Sequence, residues 1–290
     1  MKRKISIISA FALLFGLSSC LKDEAVINND GLRNIIEFQN VGSIKSTTTD
    51  VHPVFVPITL EPTAADGTFE GIIRYSGADV APQDIVVNFQ KTDAVITEFN
   101  AKTSGTKYSP IAPSEITAPT TVTIPKGQRE AKFKVVVKVA NLDQTKSNAI
   151  AYKITSASVG TISGNFGTII FSTPIKSIWE GTYTVTIHNN FGSIDANIGS
   201  APFTETGIKL TTVGPNQVQV NGVSQTYSGY TNYQFNGNNT GISSIVAYSG
   251  SNLATSIQGV DLLDAINRKF TVRWTWAGRG VTETWVRTGN

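Results

Sequence analysis

The sequence contains one cysteine, two histidines and only 16% charged residues among its 290 positions. A single cysteine excludes a disulfide framework, and so few thiols and imidazoles argue against a zinc site or a cysteine–histidine nucleophile. The low charge excludes a long coiled coil, and the 40% hydrophobic content excludes a disordered chain. Because no phosphate-binding loop, serine-hydrolase elbow or zinc-protease motif occurs either, we expect a protein that is not an enzyme and has no cofactor or metal.

The N-terminus has a basic start followed by an apolar run of 13 residues, Ile5 to Leu17. A run of this length is too short to cross a bilayer as a stable helix and is typical of a cleavable signal. It ends in Leu17-Ser18-Ser19-Cys20, which resembles the bacterial lipoprotein box. We therefore predict that residues 1–19 are the signal peptide, that Cys20 is lipidated, and that residues 20–33 tether the fold to the membrane.

Removal of the signal peptide changes the charge balance. The whole chain has 24 basic and 21 acidic residues, and residues 1–19 contain three of the basic residues and no acid. The mature chain is then neutral, so nucleic acid is not an expected partner. Lys22-Asp23-Glu24 resembles the surface-export signal of Bacteroidetes-type lipoproteins, which implies an outer-membrane protein facing the cell exterior. An ordinary solvated tether explains the same three residues, and both interpretations stay open.

Alternating apolar and polar residues between turn residues predict an all-β protein of two domains. Residues 34–175 are expected to form an immunoglobulin-like β-sandwich of about eight strands. Its clearest strand is Ala131–Val139, in which phenylalanine and valines alternate with lysines. Prolines demote Val54–Leu60 to an edge or bulged strand, and Thr92–Lys102 is predicted to be a short helix.

Residues 176–290 differ in composition, since they hold all four tryptophans but only 13 charged residues. Seven or eight successive strands predict an antiparallel β-barrel, lipocalin-like, or a second sandwich, and the pattern does not separate the two. The last two strands are expected to form a hairpin. Trp179 is expected to plug the barrel base or the domain junction, and Thr255–Ile266 fits either a strand or a short helix.

Three stretches carry a resemblance to a known family: Thr121-Val-Thr-Ile-Pro-Lys-Gly-Gln128, Ser156-Ala-Ser-Val-Gly160 and Trp179-Glu-Gly-Thr-Tyr183. The chain resembles a Bacteroidetes lipoprotein family of unknown function, in which an N-terminal sandwich precedes a variable second domain, commonly a barrel. The resemblance implies a role in polysaccharide-utilisation systems, where surface lipoproteins capture glycans beside an outer-membrane transporter. It thus implies a polysaccharide or oligosaccharide and a transporter as partners, and assigns no ligand residue.

Sugar binding needs aromatic faces for stacking and polar groups for the hydroxyls. Tyr227, Tyr230 and Tyr233 follow one another at three-residue spacing among small polar residues, and Gly229 favours a loop. These tyrosines are candidates for a stacking platform. The alternative is that they are amphipathic strand residues that close one end of a barrel.

Two tryptophans are further ligand candidates. Trp276 is expected at the end of the hairpin, half exposed, whereas Trp274 shares a strand face with apolar residues and is expected in the core. Trp285 shares its strand face with Glu283 and Arg287, and a tryptophan between an acid and a base is a candidate for binding.

The sequence favours a non-catalytic envelope protein that binds glycan. The alternative is a structural protein that docks an outer-membrane partner. A glycosidase is a third hypothesis and needs two acids about 5–10 Å apart, with Asp261, Asp264 and Glu283 as candidates. Glu283 is expected instead to pair with Arg273 or Arg279 across the last hairpin.

Overall fold

The computed structural model describes residues 34–39, 52–77 and 79–289. The predicted signal peptide, the lipidation site Cys20 and the tether lie outside these residues. Within them, no helix has both the length and the apolar character needed to cross a bilayer. Strands make up 57% of the described residues and helices 7%, so the predicted all-β class is confirmed.

The described residues of the first domain form eleven short strands, one α-helix and two 3-10 turns. Its strands are β1 Ile35–Phe38, β2 Val54–Phe55, β3 Asp66–Ser76, β4 Ile85–Lys91, β5 Ser109–Pro110, β6 Ile116–Thr117, β7 Thr121–Ile124, β8 Glu130–Lys138, β9 Asn148–Ala157, β10 Thr161–Ile162 and β11 Thr168–Ser172. The helix, α1, is Asp93–Lys102, and the 3-10 turns are Pro113–Glu115 and Val139–Asn141. The prolines confine the predicted strand Val54–Leu60 to its first two residues, because Pro57 donates no ladder hydrogen bond.

These strands form two sheets, in the orders β10-β1-β3-β8-β6 and β2-β11-β9-β4-β7, with β5 beside β9. The sandwich core is built by alternation. On β8, Phe133 and Val135 are buried while Lys132 and Lys134 are exposed, as the sequence pattern predicts. Phe133 packs against Phe89 with ring centroids 4.5 Å apart. On the neighbouring strand β3, Gly71 is paired with Phe133, and a Cβ atom on Gly71 would overlap the Phe133 ring.

Helix α1 lies against the outside of the second sheet. Its buried residues Val95, Ile96 and Phe99 join a small cluster with Val54, Ala149, Ala151 and Ile170. Thr92 is the N-cap residue but makes no side-chain capping bond, and Asp93 lies in the first turn. The helix is therefore held by this apolar contact more than by its capping.

The second domain is an eight-stranded antiparallel barrel. Its strands are β12 Gly181–Gly192, β13 Phe203–Gly214, β14 Gln217–Val223, β15 Tyr227–Phe235, β16 Ile242–Tyr248, β17 Thr255–Asp264, β18 Lys269–Trp276 and β19 Arg279–Gly289. They run in the order β16-β15-β14-β13-β12-β19-β18-β17, with β16 and β17 at the two ends. Neighbours in the sheet are consecutive in the chain, except β12 and β19.

The barrel is nearly closed where β16 approaches β17. There the Leu253 amide donates to the Ala247 carbonyl at 2.9 Å, and the Thr255 hydroxyl donates to the Ile245 carbonyl at 2.6 Å. Of the two architectures left open by the sequence, the structure is the barrel. The segment Thr255–Ile266, for which a short helix was one expectation, is a strand through Asp264.

Each domain has its own core. Ile175 belongs to the sandwich core, whereas Ile178 and Trp179 pack with the barrel. The Trp179 ring lies 4.6 Å from Phe235 with an interplanar angle of 12°, and its indole N–H donates to Asn239 Oδ1 at 2.9 Å. Aromatic side chains of this kind fill the interior of the barrel.

Candidate ligand-binding face of the barrel

Three neighbouring strands, β14, β15 and β16, present a row of polar and aromatic side chains on the outside of the barrel. Along β14 and β15 the buried residues alternate with amides and a tyrosine, because successive side chains of a strand point to opposite faces. We call this surface the tyrosine–amide face. It consists of Gln217, Gln219, Asn221, Tyr230, Asn232, Gln234, Ser244, Val246 and Tyr248, all of which are half-buried or exposed.

This face carries no charge. From Leu210 to Val260 the sequence contains no Asp, Glu, Lys, Arg or His. The outer surface of a soluble domain is normally rich in such residues. A polar surface without charge offers hydrogen bonds to neutral hydroxyl groups and no long-range attraction to ions.

Tyr230 and Tyr248 are opposite one another on paired strands. Their rings are stacked, with centroids 5.3 Å apart and an interplanar angle of 11°. The preceding Gly229 has φ +121, and a Cβ atom there would overlap the Tyr248 carbonyl oxygen. Only glycine allows β15 to lie so close to β16 at this point. The two half-buried rings thus form a fixed aromatic block at one end of the face.

The amides occupy the centre and the other end of the face. Gln219 Nε2 donates to Asn232 Oδ1 at 2.9 Å, and Gln234 Nε2 donates to the Pro215 carbonyl at 2.9 Å. The bond between Gln219 and Asn232 uses one donor hydrogen and one acceptor lone pair, so both amides keep further donor and acceptor capacity. Rings for stacking and amides for hydroxyls therefore lie side by side on one surface.

Two of the sequence candidates, Tyr227 and Trp276, lie together at one end of the barrel. Their rings are in edge contact at 5.2 Å, and the Arg279 guanidinium lies 4.7 Å from the Trp276 ring centre. The Tyr227 hydroxyl donates to both oxygens of Asp195 at 2.8 Å, and Arg279 pairs with the same carboxylate. Trp276 is only 4% exposed, against the expectation that it is half exposed, because this contact covers it.

Asp195 organises that end of the barrel. Burial opposes its ionisation, but hydrogen bonds from Tyr227, the Asn197 amide and Arg279 outweigh burial, so the pKa of Asp195 is lowered. Because Asp195 lies in the loop after β12 and makes these hydrogen bonds, it holds that loop across the end of the barrel. Tyr227 and Trp276 therefore have a structural task there.

Tyr233 and Trp285 lie in the barrel core, at 1% and 0% exposure. The expectation that they present rings to a ligand at the surface is therefore corrected. Both strands do alternate as predicted, but the face that carries them points inward. The segment around Tyr227–Tyr233 is likewise strand β15 and not a loop, since Gly229 is accommodated within the ladder.

Glu283 shares this inward face and is 1% exposed. The Tyr233 hydroxyl donates to Glu283 Oε2 at 2.5 Å, whereas Glu283 Oε1 has no partner among the described residues. Burial raises the pKa of Glu283, and the Tyr233 hydrogen bond offsets this only in part. The predicted pairing with Arg273 or Arg279 is wrong, because those arginines bind Asp261 and Asp195.

The three acids considered for glycoside hydrolysis do not converge. Asp261 accepts from exposed Arg273 at 2.9 Å, and Asp264 caps the turn before Asn267. Glu283 faces the core, on the opposite side of the sheet from Asp261. Glu283 therefore does not face a common site with Asp261. In the described part of the chain, no three His, Cys, Asp or Glu residues lie close enough to hold a metal.

Sequence reasoning found Tyr230 but missed most of the tyrosine–amide face, above all Tyr248, Asn232 and Gln219. Two signals were present. The alternation of valine with amides over Gln217–Asn221 shows which side chains point outward, and the uncharged stretch from Leu210 to Val260 marks the surface they share.

Comparison with known proteins agrees with the fold. Residues 38–161, most of the sandwich, match a family model described as "-like, N-terminal domain". Searches of curated proteins produced no match. The resemblance inferred from the sequence is confirmed at the level of this N-terminal family domain.

Three solved structures illustrate this similarity. A Bacteroides ovatus protein of unknown function is 12% identical, with a TM-score of 0.43, covering 89% of this chain and 95% of that chain. A multidomain protein including DUF1735 from the same species is 12% identical, with a TM-score of 0.41 and coverages of 87% and 92%. An auxiliary nutrient-binding protein from Bacteroides thetaiotaomicron is 11% identical, with a TM-score of 0.38 and coverages of 86% and 93%. Similarity at this level does not bear on function.

Proposed function

We propose that this protein is a non-catalytic, lipid-anchored envelope protein that binds neutral glycan at the cell surface through the tyrosine–amide face. The observation that carries the proposal is the combination of stacked Tyr230 and Tyr248 with amides on a surface free of charge. Sugar rings offer C–H faces to aromatic rings and hydroxyls to amides, so the chemistry of the two surfaces is complementary.

The absence of charge selects among glycans. An anionic polysaccharide would gain nothing from a surface without Lys or Arg, and its carboxylates would be poorly solvated there. A neutral polysaccharide meets no such penalty. Binding of this kind needs no deep pocket. The face is the outer surface of three neighbouring strands, which suits an extended chain.

The anchor belongs to the proposal as well. Lipidated Cys20 would hold the protein in the outer membrane facing the exterior, and residues 20–33 would separate the sandwich from the bilayer. Intact-mass measurement of the native protein should show a diacylglyceryl-modified chain starting at Cys20. An unmodified chain starting at Met1 would contradict this part. Protease treatment of whole cells tests the exterior location.

Affinity electrophoresis of the mature protein tests glycan binding. The gels contain starch, xylan, galactomannan or dextran as neutral probes and polygalacturonate as an anionic probe. We expect retardation by at least one neutral polysaccharide and none by polygalacturonate. A folded sample that no neutral polysaccharide retards would overturn the proposal.

A matched pair of variants locates the binding surface. The double substitution of Tyr230→Ala and Tyr248→Ala should abolish the retardation. The control is Thr271→Ala with Thr284→Ala, a cross-strand pair 3.0 Å apart on another outer face of the same barrel. The control should migrate like the wild type. Capture of an outer-membrane protein without glycan retardation would favour the docking alternative.

A further inference from the structure

A cavity of about 500 Å³ lies between the sandwich and the barrel. We call it the interdomain cleft. The side chains that matter here are Val56, Tyr108, Gln144 and Lys146 from the sandwich, Lys176 from the connecting segment, and Val213 from the barrel. Boundaries between domains are common places for ligand sites, because two rigid surfaces can enclose a molecule that neither encloses alone.

The cleft has apolar side chains from both domains, and its charged side chains, which include Glu180 beside Lys176, are paired. Val56 and Val213 are 40% and 46% exposed, although they belong to different domains. Lys146 pairs with Asp143 at 3.0 Å, and Lys176 pairs with Glu61 at 2.6 Å. With both ammonium groups already paired, the cleft holds no free positive charge for an anionic ligand. Its chemistry suits a neutral one.

Polar groups suited to hydroxyls also line the cleft. Gln144 lines the cleft and is half-buried, and its Oε1 has no hydrogen-bond partner in the part of the chain that the structure describes. A buried acceptor without a partner is costly, on the order of 1–3 kcal/mol, so a side-chain rotation that turns Oε1 toward a ligand hydroxyl would relieve this cost. The half-buried ring of Tyr108 adds an aromatic surface.

The cleft adjoins the tyrosine–amide face. Pro215, which lines the cleft, accepts a hydrogen bond from Gln234 of the face at 2.9 Å. Gly214, also in the lining, lies beside Gln217, whose Oε1 would be 3.4 Å from a Cβ atom on that glycine. Along β14, Asn221 lies four residues beyond Gln217, about 14 Å at the usual rise per residue. A ligand that runs along β14 from Asn221 to Gln217 therefore has one end beside the cleft.

We propose that the interdomain cleft is an end subsite, which binds the terminal sugar units of the neutral glycan whose chain lies on the tyrosine–amide face. This inference rests on the proposed function. It adds that binding joins the two domains, and that a chain end is preferred over the middle of a polysaccharide.

Hydrogen–deuterium exchange of the mature protein tests the cleft, with the neutral polysaccharides above and their hexasaccharides as probes. We expect protection of residues 217–248 and also of residues 144–148 and 212–215. Protection of 217–248 alone would overturn the cleft and leave the proposed function intact. Protection of the cleft segments alone would support ligand binding in the cleft and contradict ligand binding on the tyrosine–amide face. No protection anywhere would overturn both.

A cleft-filling variant gives the second test. Val213→Trp should remove protection at 144–148 and weaken hexasaccharide binding roughly tenfold, while protection of 217–248 persists. Val86→Trp is the matched control, since Val86 is 40% exposed on the sandwich strand β4 and does not line the cleft. The control should bind like the wild type. Equal binding by wild type and Val213→Trp would contradict the end subsite.

Discussion

The sandwich and the barrel distribute their polar groups in different ways. In the sandwich, charged side chains such as Lys132 and Glu70 lie outside and the central core is apolar. In the barrel, Glu283 lies in the core, while the outer face of three strands carries no charge at all. The two described carboxylates that are buried, Asp195 and Glu283, both belong to the barrel.

The sandwich thus follows the ordinary rule that charge belongs on the surface, and the barrel departs from it twice. Burial of a carboxylate lowers stability, and an uncharged surface lowers solubility. Each departure therefore calls for an explanation. The pinned Asp195 secures a loop, and we assign the uncharged face to ligand binding. We expect buried Glu283 to make the stability of the barrel depend on pH.

The largest expected effect comes from emptying one core at a time. Phe133→Ala in the sandwich and Trp285→Ala in the barrel should each lower the free energy of unfolding by about 3–5 kcal/mol. All four tryptophans belong to the barrel, so tryptophan fluorescence follows its unfolding, whereas far-UV circular dichroism follows both domains. We expect Phe133→Ala to shift only the circular dichroism transition. If fluorescence shifts equally, the two cores unfold as one unit.

The next effect concerns pH and Glu283. Because burial raises its folded-state pKa, the protonated acid favours folding. This contribution is fully present below the unfolded-state pKa of about 4.3 and is lost as pH rises through the folded-state pKa. The opposite sign holds for Asp195, whose lowered pKa contributes stability that is lost on acidification.

The substitution Glu283→Gln isolates the pH-dependent contribution of Glu283 to the free energy of unfolding. Urea midpoints from tryptophan fluorescence should show the wild type gaining stability relative to Glu283→Gln as pH falls from about 8 to about 5. Asp195 is present in both proteins, so its contribution cancels. A constant difference across this range would show that Glu283 ionises normally in the folded barrel.

A smaller effect is expected on ligand affinity. Stacking of an aromatic ring is worth about 0.5–1.5 kcal/mol, so Tyr248→Ala alone should weaken binding of the retarding polysaccharide roughly two- to tenfold. The barrel should remain folded, with its fluorescence spectrum unchanged. Tyr227→Phe, which removes only a hydroxyl at the other site, should bind normally. Weaker binding by Tyr227→Phe would instead place the ligand site at the end of the barrel, beside Tyr227 and Trp276.

The smallest effect is expected from an exposed ion pair. Asp261→Asn removes the partner of Arg273, and both side chains are 44% exposed. Water and salt screen such a pair, so the urea midpoint should not change measurably. A clear loss of stability would show that the outer surface of β17 and β18 depends on its ion pairs. That result would weaken the contrast with the uncharged tyrosine–amide face.

Local pattern predicted the strands well where alternation was strict. The predicted strand Ala131–Val139 is β8, Glu130–Lys138, with bounds that differ by one residue at each end. Prediction was weaker where apolar residues were irregular: β17 keeps no fully buried residue, since bulges interrupt its register with β18. A pattern of this kind does not distinguish a strand from a short helix.

The candidate site was only partly predictable. Tyr230 was among the tyrosine candidates, but Gly229 favoured a loop, whereas the segment is strand β15, on which Tyr230 and Tyr233 point to opposite faces. Alternation shows that two side chains lie on opposite faces of a strand, yet it does not show which face meets the core. Tyr233 and Trp285 were therefore placed on the surface although they are buried.

The amino-acid sequence by itself determined that this protein is built from strands, that it has two domains of different composition, and that its second domain has a long uncharged segment. These properties depend on local alternation and on simple counts. Only the tertiary structure decided that the second domain is a barrel, that Glu283 points into it, and that Tyr230, Tyr248 and the amides share one surface. Those facts depend on strand register and on closure of the sheet, which bring together residues far apart in the chain.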